Sequence, residues 1–427
     1  MGASANPSNP SSCHAMSARN AFDQIFRNAV TRSAPTPVDI GVSGGRIAAI
    51  APHLACEAAE IDISGRLVLP GFVDSHIHLD KACLLGRCGH VQGSLKDAIA
   101  AVATMKRDFT VEDVYARGAR VIERAIVHGT TRMRTHVEID PRIGLRSFAA
   151  IKALKRDYAW AIDLSLCVFP QEGLTNDPGA DELLVEALRD GADVIGGCPY
   201  TDTDPHAQIK RIFDLAEEFD LDVDFHLDFD LDPSWSHMEE VCRQTDQRNY
   251  PGRVAIGHAT KLSALPPERL RLATTRLAQA GVAVTVLPAT DLYLMGRDAT
   301  HNTPRGLTMA HKLVEHGVLC SVATNNVLNP FTPFGDASLL RMANFYANVA
   351  QAGVSEFEIC LDLVTDLPAR LLNLGDYGIV VGNPADLVVL DTDSGPNAIA
   401  ELPDLLAGFK RGRQVFERRP PVLFKPA

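Results

Sequence analysis

The sequence predicts an α/β fold: a (β/α)8 barrel, or TIM barrel, with a small β-sandwich domain formed by both chain ends. Short apolar runs rich in β-branched residues recur about every thirty residues from the second run onward, and helix-like sequence fills the gaps. Eight such units in a row are typical of a closed parallel barrel. The predicted strands are Leu67–Val73, Thr131–Val137, Ala161–Phe169, Asp193–Pro199, Asp222–Leu227, Arg253–Gly257, Val282–Leu287 and Val318–Ala323.

At both ends of the chain, outside the segments that repeat every thirty residues, apolar and polar residues alternate over lengths typical of β-strands. Ala21–Ile63 contains turn signals, and Tyr377–Leu390 is predicted as a strand, a turn and a second strand. Two such flanks would pair into one sheet domain beside the barrel. The sequence therefore predicts a flexible tail over residues 1–19, a β-sandwich domain over 20–68 and 378–427, and a barrel domain over 69–377.

The connection between the first and second predicted strands is about twice as long as the others. It contains two helical segments, Ser94–Met105 and Val111–His128. An insertion at this point of a barrel would lie above its mouth. We therefore expect a lid or a wall of the substrate site there.

Composition argues against several classes of partner. The net charge is -12 over 427 residues, and no stripe of Lys and Arg alternates with aromatic residues, which argues against nucleic acid. No stretch reaches the roughly 18 uncharged apolar residues of a membrane span. Nine scattered cysteines, an odd number without a paired spacing, are typical of reduced thiols in the cytoplasm. These features favour a cytoplasmic protein that acts on a small molecule.

Polar residues follow nearly every predicted strand, where a TIM barrel carries its reactive groups. A histidine alone at a strand end is more often a hydrogen-bonded core residue than a ligand, and His136 is interpreted in that way. Lys81 and Lys261 could add positive charge at the barrel mouth, although a solvated or salt-bridged lysine is the more common outcome. The residues that follow the strands are His76 and His78, His136, Gln171, His226, His258, Asp291, and Asn325 with Asn326.

The pair His76 and His78 is the strongest chemical signal. Side chains alternate along a strand, so both imidazoles lie on one face and can reach one ion at about 2.0–2.1 Å. His226 arrives from the fifth strand as a third imidazole. Three imidazoles, one oxygen ligand and an open position would make a hydrolytic metal site, in which the ion acidifies bound water.

These segments resemble a known family. Pro70–Lys81, which contains the histidine pair, is similar to the signature of the amidohydrolase superfamily, and Gly382–Leu390 is similar to its closing β segment. Within the superfamily, three segments resemble the group that contains cytosine deaminase and N-isopropylammelide amidohydrolase: Arg134–Val137, Phe169–Gly173 and Gly257–His258.

The resemblance implies roles for individual residues. His76, His78 and His226 would bind one divalent metal ion per subunit, with zinc as the first expectation and iron as the alternative. His258 would hydrogen-bond the attacking water or the developing oxyanion, and Gln171 would bind the amide-like edge of a substrate ring. Barrels of this kind are often dimers or larger, so a homo-oligomer is expected.

Two positions depart from the family pattern. Asn325 stands where the family has an aspartate that binds metal and accepts the proton of water, and Phe229 stands where the deaminases have an acid/base glutamate. Asn325 can offer a carbonyl oxygen to the ion but cannot act as a base. Strand alternation favours Asp228 as the replacement base, because it would share the face of His226. Asp291 and Glu172 are other candidates.

The sequence therefore predicts a metal-dependent hydrolase that uses metal-activated water on a carbon–nitrogen bond of a small nitrogen heterocycle, cyclic amide or amidine. His258, Asp228 and Asn325 are the predicted catalytic residues, with Asn325 also a metal ligand. Two alternatives stay open: removal of another leaving group, such as an alkylamine or halide, or ring opening; and a barrel that binds metal or ligand without catalysis. The predicted substrate-binding residues are Gln171, Asn326, Phe229 and Asp291.

Overall fold

The computed structural model describes residues 22–55, 57–88, 93–419 and 421–426. The predicted tail over residues 1–19 lies outside this range. The strands are β1 (Gln24–Thr31), β2 (Ala34–Ser43), β3 (Arg46–Ala51), β4 (Ala59–Asp62), β5 (Leu67–Pro70), β6 (Phe72–Ile77), β7 (Thr130–Glu138), β8 (Asp163–Phe169), β9 (Val194–Gly197), β10 (Asp222–Leu227), β11 (Val254–His258), β12 (Val282–Val286), β13 (Cys320–Val322), β14 (Leu387–Leu390), β15 (Leu405–Lys410) and β16 (Arg413–Glu417).

Eight parallel strands, β6 to β13, follow one another in chain order around a barrel. The barrel closes just beyond its last strand, where Ile77 and Asn325 form a parallel bridge. The Asn325 N–H donates to the His76 carbonyl oxygen, and the His78 N–H donates to the Asn325 carbonyl oxygen, both at 2.8 Å. The predicted (β/α)8 fold is confirmed.

The helices fill the connections between the strands. The two helical segments predicted in the long connection, Ser94–Met105 and Val111–His128, are helices in the structure whose ends agree with the prediction within one residue. Within the described residues, no helix has the length and apolar composition that crossing a bilayer requires. The helices are α1 (Leu95–Met105), α2 (Val111–Val127), α3 (Arg146–Asp157), α4 (Ala180–Arg189), α5 (Pro205–Phe219), α6 (Met238–Gln247), α7 (Pro267–Ala280), α8 (Pro288–Leu294), α9 (Ala310–Glu315), α10 (Leu339–Ala350), α11 (Phe357–Asp362), α12 (Asp366–Leu371) and α13 (Gly395–Glu401).

The inserted connection between β6 and β7 carries α1 and α2, as the sequence predicts. Each helix begins at a side-chain cap: Ser94 accepts from the Asp97 N–H and Thr110 from the Asp113 N–H. A short 3-10 turn, Lys106–Asp108, joins the two helices. This turn brings Lys106 towards the carboxyl ends of the neighbouring barrel strands.

The predicted first strand, Leu67–Val73, is two strands in two different sheets. β5 pairs antiparallel with β14 in the second sheet, whereas β6 pairs parallel with β7 in the barrel. Gly71 separates them, and a Cβ atom there would lie 2.2 Å from the Thr131 methyl carbon, so only glycine fits. Leu67–Leu69 and Phe72–Val73, on the two sides of Gly71, are buried and apolar, and for this reason the sequence shows one continuous run.

The second sheet is built from both chain ends and contains eight strands of mixed direction. Its main path is β16-β15-β14-β5-β1-β2-β3, and β4 pairs with β1. Its apolar side chains form a core separate from that of the barrel. In this core Phe26 packs edge-on against Phe409, with ring centroids 4.7 Å apart. The predicted union of the two termini is confirmed.

A buried ionic cluster joins this sheet to the barrel. Lys410 of β15 is 2% exposed, and its ammonium donates to Asp163 at 2.7 Å and to Asp386 at 2.8 Å. Arg132 of β7 contacts the same two carboxylates. Two cations and two anions therefore compensate one another where the domains meet.

We predict that Lys410→Met lowers the free energy of unfolding by about 3 kcal/mol, because breaking the buried ion pairs of Lys410 leaves Arg132 to compensate both carboxylates. Urea unfolding followed by circular dichroism measures the change. Arg413→Met, at an exposed position on the next strand, is the matched control and should change stability by less than about 0.5 kcal/mol. Equal effects of the two substitutions would contradict a special role for the buried cluster.

Candidate active site

Three histidines converge inside the barrel mouth, as predicted. His76 and His78 come from the end of β6, and His226 comes from β10 on the other side of the barrel. The Nε2 atom of His226 lies 3.2 Å from Nε2 of His76 and 3.1 Å from Nε2 of His78. All three side chains are buried, and together they form a group that could hold a metal ion.

The spacing of these nitrogen atoms fits a bound divalent ion. Two nitrogen ligands at about 2.0–2.1 Å from an ion, with angles of about 90–109° between them, lie about 2.8–3.4 Å apart. Burial is the main cause that holds the pKa of each of the three imidazoles well below its usual value, so all three are neutral at pH 7. Neutral imidazoles with converging nitrogen atoms are the form that binds a cation.

Asn325 lies next to this group. Its backbone is hydrogen-bonded to His76 and His78, and its φ of 60° is a left-handed conformation that Asn adopts more readily than most residues. The side chain is fully buried, and neither Oδ1 nor Nδ2 has a hydrogen-bond partner among the described residues. A buried amide oxygen without a partner fits the predicted oxygen ligand.

His258 and Asp291 form a hydrogen-bonded pair beside the three histidines. The His258 Nδ1–H donates to Asp291 Oδ1 at 2.7 Å, and the other Asp291 oxygen accepts from the Leu287 N–H at 3.1 Å. Phe229 stacks on the imidazole of His258, with centroids 3.7 Å apart. Asp291 thus fixes the ring orientation of His258 and leaves its Nε2 atom available. The sequence predicted substrate binding for Asp291, but its oxygens are both engaged inside the protein.

The expectation that Asp228 shares the face of His226 is wrong. Strand β10 ends at Leu227, and Asp228 has a φ of 52°, which interrupts the alternation of side chains. Its carboxylate instead accepts hydrogen bonds from the Ser236 hydroxyl and the His237 N–H. Asp228 therefore caps the following loop, and its position does not support the predicted role as a base.

His136 belongs to a buried polar layer beside the metal group, consistent with its interpretation as a core residue. Its ring stacks on that of His76, with centroids 3.7 Å apart. Its Nε2 atom lies 3.5 Å from Asp224, which also accepts from Arg134 at 3.0 Å. This layer fixes the ring plane of His76 and sets the direction in which its Nε2 atom points.

Gln171 lies in a hydrogen-bonded row at the mouth, and Lys81 is part of it. The Lys81 ammonium donates to Gln171 Oε1 at 3.2 Å and to Glu138 at 2.7 Å, and it lies 4.4 Å from the ring centroid of Phe331. Gln171 Nε2 donates to the Cys198 sulfur at 3.3 Å. Lys81 points inward, whereas Lys261 binds Asp230 in the loop after β10.

Asn326 lies beside the site, and its side-chain amide contacts neighbouring polar side chains. Its Oδ1 accepts from Asn329 at 2.7 Å, and its Nδ2 lies 3.5 Å from the Thr290 hydroxyl. Asn329 also donates to the Lys81 carbonyl oxygen. Asn326 therefore holds the loop after β13 against the mouth, and its predicted contact with substrate stays a prediction.

Comparison with known proteins places the chain. The model of the amidohydrolase family matches residues 59–151 and 124–416. The chain belongs to the amidohydrolase family. It is 28% identical over 402 residues to N-isopropylammelide isopropyl amidohydrolase from Pseudomonas sp. (strain ADP), covering 92% of this chain and 96% of that protein. It is 30% identical over 364 residues to pterin deaminase from Rhizobium rhizogenes, covering 82% and 81%.

Solved structures agree with the sequence matches. The crystal structure of 5-methylcytosine deaminase from Klebsiella pneumoniae, liganded with 5-fluorocytosine, has a TM-score of 0.90 and 28% identity to this amidohydrolase. The match covers 94% of this chain and 99% of that one. The predicted family is confirmed, and so is the expectation of an enzyme that hydrolyses carbon–nitrogen bonds other than peptide bonds.

We predict that His76→Ala abolishes retention of metal. Loss of a residue that only supports a ligand already weakens metal binding about 10–100-fold, so loss of a ligand should exceed that range. Metal content after dialysis, measured by mass spectrometry, tests this. His316→Ala, which removes an exposed histidine, should retain the wild-type metal content. Full metal content in His76→Ala would overturn the ligand assignment.

Proposed function

We propose that this amidohydrolase holds one divalent ion, zinc in the first instance and iron as the alternative, and hydrolyses a carbon–nitrogen bond of a small nitrogen heterocycle or cyclic amide. The observation that carries the proposal is the convergence of three neutral imidazoles beside the unpartnered amide of Asn325. Histidine nitrogens with an amide oxygen suit both metals. A bound ion would supply Lewis-acid activation of water and of the bond under attack.

His258 and Asp291 would provide the acid and base that the family pattern assigns to other positions. With its Nδ1–H bonded to Asp291, neutral His258 presents the lone pair of Nε2 and can accept a proton from the attacking water. The Asp291 carboxylate then stabilises the imidazolium, which can return the proton to the leaving nitrogen. This pair would replace the proton-transfer groups that are missing because Asn325 and Phe229 stand where the family has an aspartate and a glutamate.

Gln171 and Lys81 would recognise the ring. Both present hydrogen-bonding groups at the mouth, and the aromatic faces of Phe169 and Phe229 lie nearby, stacked on His226 and His258. Planar heterocycles with amide-like edges fit such a surface. The relatives named above act on an ammelide, a pterin and a methylcytosine, which share this chemistry.

Removal of an alkylamine is the second candidate. Phe229 lines a cavity of about 490 Å³ together with Leu231, Leu294 and Met295. An apolar wall next to His258 favours an apolar substituent on the leaving nitrogen. The N-isopropyl relative is a precedent for a leaving group of that kind.

We also propose a cytoplasmic homo-oligomer that acts on a small molecule and has neither nucleic acid nor a membrane as partner. The seven described cysteines are unpaired, which supports a reducing compartment. The charge of -12 is unfavourable for binding nucleic acid. Size-exclusion chromatography with light scattering measures the oligomeric state.

The proposal is tested by turnover of pyrimidines, pterins and N-alkylated triazines by fully metallated protein. We expect release of ammonia or alkylamine from at least one of them, with kcat/KM of about 10⁴ M⁻¹s⁻¹ or more. Metal-free protein and His76→Ala are the controls and should be inactive. If metallated wild-type protein releases neither product from any compound, the catalytic proposal fails and the binding-only alternative is favoured.

We predict that Asp291→Asn lowers kcat by about 10²–10⁴-fold with a small change in KM. An amide at this position can donate to Nδ1, so the proton moves to Nε2 and His258 loses its function as a base. Steady-state kinetics across pH measure the effect. Asp393→Asn, an exposed carboxylate before α13, is the matched control and should keep wild-type kinetics. Unchanged kcat in Asp291→Asn would exclude the pair from proton transfer.

A further inference from the structure

A cluster of buried charges lies beside the active site and takes no part in the chemistry described above. The Lys106 ammonium contacts three carboxylates: Glu138 at 2.8 Å, Asp140 at 2.5 Å and Glu172 at 2.6 Å. The Lys106 side chain is 1% exposed. Desolvating so many charges is strongly unfavourable unless each is compensated, and Lys106 is the cation that contacts all three carboxylates.

The ammonium and the carboxylates come from different parts of the fold. Lys106 belongs to the segment inserted between β6 and α2. Glu138 is the last residue of β7, and Asp140 and Glu172 follow β7 and β8. Burial, and then the charge of Glu138, raise the pKa of Glu172 to about 7. Although burial opposes it, Glu138 and Glu172 raise the pKa of Lys106. Lys106 therefore stays charged and fastens the insertion to the barrel mouth.

Glu138 connects this cluster to the hydrogen-bonded row of Lys81 and Gln171 at the mouth. One of its oxygens accepts from Lys106 and the other from Lys81, at 2.8 and 2.7 Å. Lys81 in turn donates to Gln171. Glu138 is buried, so its position is set by its two lysine partners and the surrounding strands. A shift of Glu138 would therefore displace Lys81 and, through Lys81, Gln171.

Removal of the Lys106 ammonium would redirect Lys81. Arg142 also faces Asp140 and Glu172, at 3.3 and 3.9 Å, but it is a quarter exposed and bound to Asp177. Without Lys106, the three carboxylates would attract the Lys81 ammonium, which is the nearest buried cation that Glu138 already contacts. Lys81 would then leave Gln171.

We propose that Lys106 is a positioning residue for substrate recognition: through Glu138 it holds the Lys81 ammonium and the Gln171 amide in the arrangement that binds the substrate ring. This inference rests on the proposed function, since it assumes that Lys81 and Gln171 face the substrate. On this proposal the insertion between β6 and β7 contributes to substrate specificity, because it supplies the ammonium of Lys106 that keeps Lys81 and Gln171 in place.

The first test is Lys106→Met, which keeps an unbranched side chain and removes the charge. We expect KM for whichever compound of the panel is turned over to rise about 10–100-fold, the effect of losing a charge-assisted hydrogen bond. Because the metal ligands and His258 are untouched, kcat should stay within about threefold and metal content should be unchanged. Arg107→Met, at the adjacent exposed position, is the matched control and should keep wild-type KM.

The second test is a double-mutant cycle with Lys81→Met. If Lys106 acts through Lys81, the double variant should have the KM of Lys81→Met within about twofold. A KM in the double variant equal to the product of the two separate increases would overturn the proposal. So would a wild-type KM in Lys106→Met.

Two further measurements keep the inference testable. If Lys106→Met does not fold, Lys106→Met combined with Glu172→Gln removes the ammonium together with one of its three carboxyl partners. This double variant should fold and still show the raised KM, and a wild-type KM there would overturn the proposal. If the wild-type protein turns over no compound, the proposed function fails separately. Crystal structures of wild type and variant then test positioning: loss of the Lys81–Gln171 contact supports it, and an unchanged contact overturns it.

Discussion

The backbone bridge that closes the barrel is the constraint on which the active site depends. Two hydrogen bonds of 2.8 Å join Asn325 to His76 and His78, so the last strand is fixed against the histidine pair. Closure also determines what faces this pair across the barrel, namely His226 at the end of β10. The metal group is therefore a property of the closed barrel, since no two neighbouring strands contain all of its members.

The proposed set of metal ligands would have an unusual charge for a hydrolytic site. The three imidazoles are neutral, and so is the amide of Asn325 that we propose as the fourth ligand. With these ligands, only substrate or hydroxide would offset the charge of a bound divalent ion. A more positive centre acidifies water further and has less need of a carboxylate base. His258, oriented by Asp291, then becomes the natural partner for the proton, since Asp228 points into its own loop.

Buried ion clusters support the barrel at two of its attachments. Lys410 and Arg132 join the terminal sheet to the barrel, and Lys106 joins the insertion to the mouth. In both cases a lysine from outside the barrel contacts a carboxylate at the end of a barrel strand, Asp163 for Lys410 and Glu138 for Lys106. Such pairs contribute little net stability but strongly disfavour any arrangement that leaves a charge alone. They fix where the attached elements lie, and at the mouth these elements include the hydrogen-bonded row of Lys81 and Gln171.

The sequence determined the features that depend on local periodicity. The thirty-residue spacing predicted eight barrel strands, and the alternation along β6 placed His76 and His78 on one face, because both patterns follow from backbone geometry. Tertiary structure decided the rest. Leu67–Val73 is divided between two strands in two sheets, and the sequence could not separate them because both parts of this run are apolar. Asp228 turns away because its left-handed backbone ends the alternation. The pairing of His258 with Asp291, and the burial of Lys81 and Lys106 among carboxylates, join residues that are distant in the chain. The sequence alone does not show whether a charged residue will be solvated by water or paired with an opposite charge. That partner is brought into place only when the chain folds.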